Sequence, residues 1–184
     1  MRLATGRQNR AISAIIAAEA EPPSKKILYL EFGVASGKSI KYWAERLKAE
    51  DALLFGFDTF EGLPEAWGLL QKGHFSTGGK LPCIDCPNVN YVRGLFQETL
   101  PMFVLPEHDT LIINVDCDIY SAAAFVLNSL GPHMRPGTLL YFDEFSDRTH
   151  ELKAYKDFLN LSGKQFRLVT ATTLFREVAF ECVN

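Results

Sequence analysis

Short apolar runs recur along the chain at ILYLEF (27–32), LLFGFD (53–58), VNYV (89–92), TLIINVD (110–116) and TLLYFDE (138–144), and each predicts a strand. ILYLEF, apolar with almost no alternation, predicts a strand covered on both faces. Helical spacing lies between them. Residues 38–49 put Ile40, Trp43, Ala44 and Leu47 on one face, a short helix is predicted at 95–103, and SAAAFVLNSLG (121–131) predicts a helix stopped by Gly131-Pro132. ELKAYKDFLNL (151–161) predicts another helix, and an amphipathic helix at 7–19 is ended by Pro22-Pro23. QFRLVTA and REVAFECV predict a closing pair of strands with no helix between them, so one of the two runs antiparallel. Alternation of strand and helix along most of the chain predicts an α/β, doubly wound, mostly parallel sheet of about seven strands.

The chain has 184 residues, enough for a single domain with a sizeable core. Residues 59–88 break the alternation. They are rich in Gly, Pro and polar residues, with a short helix predicted near Pro64–Leu70, and a connection of that length reads as a lid or acceptor loop. A net charge of −3 without a basic cluster gives no footprint for nucleic acid or a membrane surface. AISAIIAA (11–18) is too short for a membrane span and is interrupted by Glu19, so the expected location is the cytoplasm. Cys83 and Cys86 form a CxxC without the second ligand pair that a structural zinc site needs, and reduced loop thiols are expected.

The segment EFGVASGKS (31–39) poses the first chemical question. A phosphate loop needs four residues between its first glycine and the glycine of GK[ST]; Gly33 and Gly37 enclose three. The dinucleotide pattern GxGxxG fails as well, because residue 35 is Ala. What remains is a glycine turn at the carboxyl end of the first strand, where open parallel sheets bind ligands. Glu31 places a carboxylate beside the turn, suited to an amino group, and Ser36 and Ser39 add hydroxyls. Asp58 closes the second strand about 20 residues past Gly37, where an acid can accept ribose hydroxyls. A pocket that wants a ribose and an amino group fits S-adenosylmethionine. The competing assignment is that Glu31 and Asp58 merely cap a helix and a loop.

A second cluster lies at the fourth and fifth strands. INVDCDIY holds Asp116 and Asp118, two apart and facing the same way in an extended chain. YFDEF ends in Asp143 and Glu144 on a strand expected to be adjacent. Carboxylates crowded at one sheet edge repel one another unless a cation joins them, and hard oxygen donors suit magnesium or another divalent ion. Alternatively these are solvated loop acids, with Asp118 capping the helix near Ser121.

These segments resemble the class I S-adenosylmethionine-dependent methyltransferases, and within them the macrocin O-methyltransferase family. The resemblance runs from about residue 28 to 160 and is carried by EFGVASGKS, GFDTFEGLPE (56–65), HFSTGG (74–79), VRGLFQETLP (92–101), NVDCDIY and FDEF. It implies a Rossmann-like sheet, bound S-adenosylmethionine, and a divalent metal such as Mg2+ on Asp116, Asp143 and Glu144, the first two being 27 residues apart. It implies methylation of a hydroxyl on a small-molecule acceptor such as a sugar or natural product, with Asp116 and Asp118 in the catalytic set and Asp118 as general base. Asp116 would also touch the cofactor. The family carries two aspartates where this chain has Asp143-Glu144, and 59–88 is the obvious lid, so a homodimer that closes the site is an expectation.

Among the other residues, Trp43 reads as core and Trp67 as either a pocket wall or packing. His74 is expected in solvent, His108, His133 and His150 at the periphery, and Tyr120 within the site; Lys38 is expected to face solvent. Two alternatives stay open: a non-catalytic S-adenosylmethionine-binding domain, and a nucleotide hydrolase using Gly37-Lys38-Ser39.

Overall fold

The computed structural model describes residues 25–47 and 51–184, so the predicted helix at 7–19 and the last residues of the one predicted at 38–49 lie outside the described residues. The chain runs β1 (Ile27–Phe32), α1 (Lys38–Arg46), β2 (Ala52–Asp58), β3 (Val89–Arg93), α2 (Phe96–Thr99), β4 (Thr110–Val115), α3 (Tyr120–Leu130), β5 (Leu139–Phe142), α4 (Glu151–Ser162), β6 (Phe166–Ala171) and β7 (Val178–Cys182). One seven-stranded sheet forms in the order β3-β2-β1-β4-β5-β7-β6. β1 to β5 are mutually parallel, and β7 runs antiparallel to both β5 and β6. The expected α/β fold with an antiparallel strand near the C-terminus is met.

β1 shows why its run carries no alternation. Leu28, Leu30 and Phe32 enter one core cluster with Val126, Leu127 and Phe142, while Ile27 and Tyr29 enter another with Ile40, Trp43 and Leu54. Successive side chains point to opposite faces, and both faces are covered. α1 lays Ile40, Trp43 and Ala44 on one face of the sheet, and α3 packs against α4 on the other.

The chain winds from β1 outward through β2 and β3, then returns to place β4 on the other flank of β1. This reversal opens a crevice at the carboxyl ends of β1 and β4, the position where such sheets bind ligands. The predicted helix at Pro64–Leu70 does not form. Trp67 and Leu70 instead exchange backbone hydrogen bonds of 2.9 and 2.8 Å around a tight turn containing Gly68 at φ 55°. Gly68, in the interior of the predicted helix, disfavours it there.

Candidate active site

A cavity of about 580 Å³ opens at that crevice. Its floor is the glycine turn. Gly33 adopts φ 98° and its amide donates to the Phe57 carbonyl at 3.0 Å; Gly37 adopts φ 75° and its amide donates to Val34 at 2.8 Å. The turn is fastened by Asp58, whose Oδ2 accepts the amides of Val34 (2.8 Å) and Ala35 (2.7 Å) and whose Oδ1 accepts that of Phe60 (2.7 Å). A phosphate would need those amides and would meet the Asp58 carboxylate in their place, which removes the physical basis of the hydrolase alternative. Asp58 lines the cavity and keeps lone pairs for a ligand hydroxyl, but its first role in the structure is to shape the turn.

Of the expected cofactor residues, Gly33, Ser36, Ser39, Asp58 and Asp116 line the cavity; Glu31 and Gly37 do not. Glu31 is fully buried beneath the turn, because β1 points it into the sheet face shared with α1. Its Oε2 accepts from the Tyr29 hydroxyl (2.6 Å) and Asn114 Nδ2 (3.2 Å), and Asn114 also reaches Ser39 Oγ at 3.3 Å. Burial pushes the Glu31 carboxyl up to about 7, with these donors pulling the other way. Glu31 therefore sits behind the cavity wall, linked to Ser39 through Asn114. Gly37 is roofed by the Pro82 ring, 2.6 Å from where a Cβ would stand.

The acids assemble as expected, though by a different local route. β4 ends at Val115, so Asp116 and Asp118 do not share an extended strand. The Ile119 amide donates to the Cys117 carbonyl at 2.6 Å, and Asp118 between them sits at φ 62°. Asp116, Asp118, Asp143 and Glu144 all line the cavity. Burial followed by the Asp143 charge holds the Asp116 carboxyl well above the usual range. Burial, then Glu144 and Asp143, raise Asp118 to about 7. Asp143 is raised by burial and Glu144, while Arg176 and Tyr141 oppose the rise. Glu144 is separately engaged. Its Oε1 accepts from Arg176 Nε at 3.1 Å and also from Arg176 Nη2. Among the described residues, no group of three or more His, Cys, Asp or Glu is arranged to hold a metal ion.

The wall comes from the 59–88 connection, with Leu63, Pro64, Trp67 and Phe75 facing the cavity. The connection docks on α3 and α4 through Ser121 Oγ, which donates to Glu65 at 2.9 Å, and through Trp67, edge-on to His150. His150 is thus not peripheral; its Nδ1 accepts the Tyr120 amide and caps α3, the role considered for Asp118. Tyr120 turns its hydroxyl outward to Asp157 at 2.9 Å. His74 is exposed and Trp43 is core. Cys83 and Cys86 are free thiols. Lys38 is exposed but lines the rim, which spacing alone did not show. Also missed were Gly94, Leu95, Phe96 and Gln97, which enter from the end of β3, and Arg176 from the β6–β7 turn. VRGLFQETLP was the available signal for the first group; Arg176 had none.

A family model described as a methyltransferase domain, Methyltransf_24, matches residues 30–145, and the chain belongs to this methyltransferase family. No curated protein matches it significantly. Among solved structures, the fold is similar to calicheamicin methyltransferase CalS11, with a TM-score of 0.72 at 19% identity over 97% of this chain and 80% of that one. It is similar to the O-methyltransferase NovP, with a TM-score of 0.72 at 17% identity over 96% and 78%. It is also similar to cmcI in a structure with Mg and S-adenosylmethionine, with a TM-score of 0.63 at 14% identity over 95% and 70%.

Proposed function

We propose that the protein is an S-adenosylmethionine-dependent, metal-assisted O-methyltransferase of the macrocin type, acting on a hydroxyl of a small molecule such as a sugar or natural product. The observation that carries this reading is the meeting, in one cavity, of a glycine turn clamped by Asp58 with Asp116, Asp118 and Asp143. It is supported by the naming of one similar protein as a TDP-rhamnose 3'-O-methyltransferase and another as an O-methyltransferase.

When bound, S-adenosylmethionine supplies a methyl group on a sulfonium, open to in-line attack. Gly33, Ser36 and Ser39 form the floor against which that cofactor is held, and Asp58 accepts its ribose hydroxyls. Leu63, Trp67 and Phe75 exclude water from the acceptor end. Asp118 takes the acceptor hydroxyl's proton; a carboxylate raised to about 7 is matched to that task near neutral pH. A hard divalent cation fits Asp116 and Asp143, whose crowded carboxyls lack a counter-charge of their own strength. Glu144 fits less well while Arg176 holds it. Such an ion would lower the pKa of a hydroxyl placed beside it.

The test is a turnover screen over hydroxylated sugars and phenols with and without magnesium, beside calorimetry with S-adenosylmethionine. Binding with methyl transfer abolished in Asp118→Asn supports the reading. Binding without transfer to any acceptor points to a non-catalytic binding domain, absence of binding overturns the proposal, and turnover indifferent to magnesium and chelator removes the metal from it.

A further inference from the structure

Glu151 is the first residue of α4, a place where a glutamate ordinarily faces water, yet it is fully buried and does not line the cavity. Its Oε2 accepts the backbone amide of Glu144 at 3.1 Å, and among the described residues Oε1 has no hydrogen-bond partner. Burial drives its carboxyl well above the usual range; the Glu144 and Asp118 backbone amides oppose that rise, and the Asp118 and Asp143 charges add to it. A leucine or methionine would fill the same space without burying a charge. The carboxylate therefore has to be explained by what it holds.

The turn beside it is strained. Asp118 occupies a positive-φ turn closed by the 2.6 Å bond between the Ile119 amide and the Cys117 carbonyl. A three-residue turn of that hand is rare and persists only where its surroundings over-determine it. Cys117, one residue before, is buried against the core, and burial, then the Glu151 charge, push its thiol up. On the other side, the Glu144 amide belongs to the turn that follows β5.

We infer that Glu151 is a positioning residue: its carboxylate, seated beneath the site and hydrogen-bonded to the Glu144 amide, holds the turn that presents Asp143 and Glu144 in place beside the Asp118 turn. The inference rests on the proposed reading of this cavity as a catalytic site, because only there does the separation of these carboxylates matter. The residue sets the spacing of the acids from below and reaches neither cofactor nor acceptor.

Residue-resolved amide exchange on the full chain tests this directly. Glu151→Ala accelerates exchange at the Glu144 amide by about tenfold, the effect of losing its hydrogen bond, and to a smaller extent at the Asp118 turn beside it. Glu151→Gln keeps a carbonyl oxygen for the Glu144 amide, so that amide stays protected. In parallel, calorimetry with Mn2+ in the presence of S-adenosylhomocysteine shows binding weakened by about tenfold in Glu151→Ala and partly restored in Glu151→Gln, the size expected for partners behind a metal ligand. S-adenosylhomocysteine affinity itself stays within about twofold in Glu151→Gln, since the turn below it is clamped by Asp58. Unchanged exchange at the Glu144 amide in Glu151→Ala, or acceleration spread evenly over β4 and β5, overturns the inference. A wild-type protein that binds no Mn2+ counts against the metal in the proposed function, and the exchange experiment then decides the role of Glu151 alone.

Discussion

Gly33 crosses the backbone of Asp116 so closely that a Cβ on Gly33 would stand 1.8 Å from the Asp116 carbonyl oxygen. The glycine turn at the cavity floor and Asp116 are therefore one packed unit, joined across β1 and β4 by the Asp116 amide, which donates to Phe32 at 2.9 Å. Gly33→Ala meets both the clash and a φ of 98°. It destabilises the fold by at least about 2 kcal/mol and weakens S-adenosylmethionine binding by more than about tenfold. Chemical denaturation and calorimetry on the same sample read the two effects.

Asp58 gathers three backbone amides, from Val34, Ala35 and Phe60. Asp58→Asn replaces one acceptor oxygen with a donor that faces N–H groups. The loss is about 1–3 kcal/mol of stability, with cofactor affinity falling by about tenfold as the turn loosens. Asp58→Glu, which keeps both oxygens on a longer arm, recovers stability better than affinity. Equal losses in the two variants would assign Asp58 to ligand contact rather than to the turn.

The sheet was legible because its central strands β1, β4 and β5 are short and covered on both faces, so the apolar runs and the intervening helical spacing left little choice of fold. The glycine turn and the acids at strand ends were legible for a related reason: strand ends in a parallel sheet converge whatever the loops do. The failures are all local or long-range. Asp58 was weighed between a ribose contact and a loop cap, because nothing in a sequence reveals that a side chain can be engaged by amides 23 and 24 positions before it. Glu31 was read as standing beside the turn, whereas β1 turns it into the buried face beneath. His150, Glu151 and Arg176 approach from elements remote in sequence, and the turn at Trp67 to Leu70 replaced a helix because Gly68 outweighed the apolar residues around it.

Glu31 gives the fold a pH dependence of calculable sign. Its carboxyl titrates at about 7 in the folded protein against 4.5 unperturbed, so the folded state binds the proton more tightly. The stabilisation linked to it is full below the unfolded value and is lost as pH rises through about 7. Glu31→Gln cannot titrate and keeps an acceptor for Tyr29. The difference in unfolding free energy between about pH 5 and pH 8.5 should shrink by on the order of 2–3 kcal/mol in the variant. Glu177 shifts in the same direction, so a slope remains in both proteins. A slope identical in the two would mean that Glu31 is solvated in solution.

Arg176 pairs with Glu144, which lines the same cavity as Asp116 and Asp143. The Arg176 side chain is 59% exposed, so the pair is open to solvent and worth up to about 1 kcal/mol. Arg176→Gln removes that partner and leaves Glu144 beside two like charges with no cation of its own. Mn2+ affinity in the presence of S-adenosylhomocysteine should then rise, to a ceiling of about fivefold. In the double variant Arg176→Gln, Glu144→Gln the gain disappears, because the third carboxylate is gone. A rise that survives the second substitution would assign the effect to removal of a positive charge near the site. No rise in either variant would leave Asp116 and Asp143 as the metal-holding pair, with Glu144 serving only to anchor the β6–β7 turn.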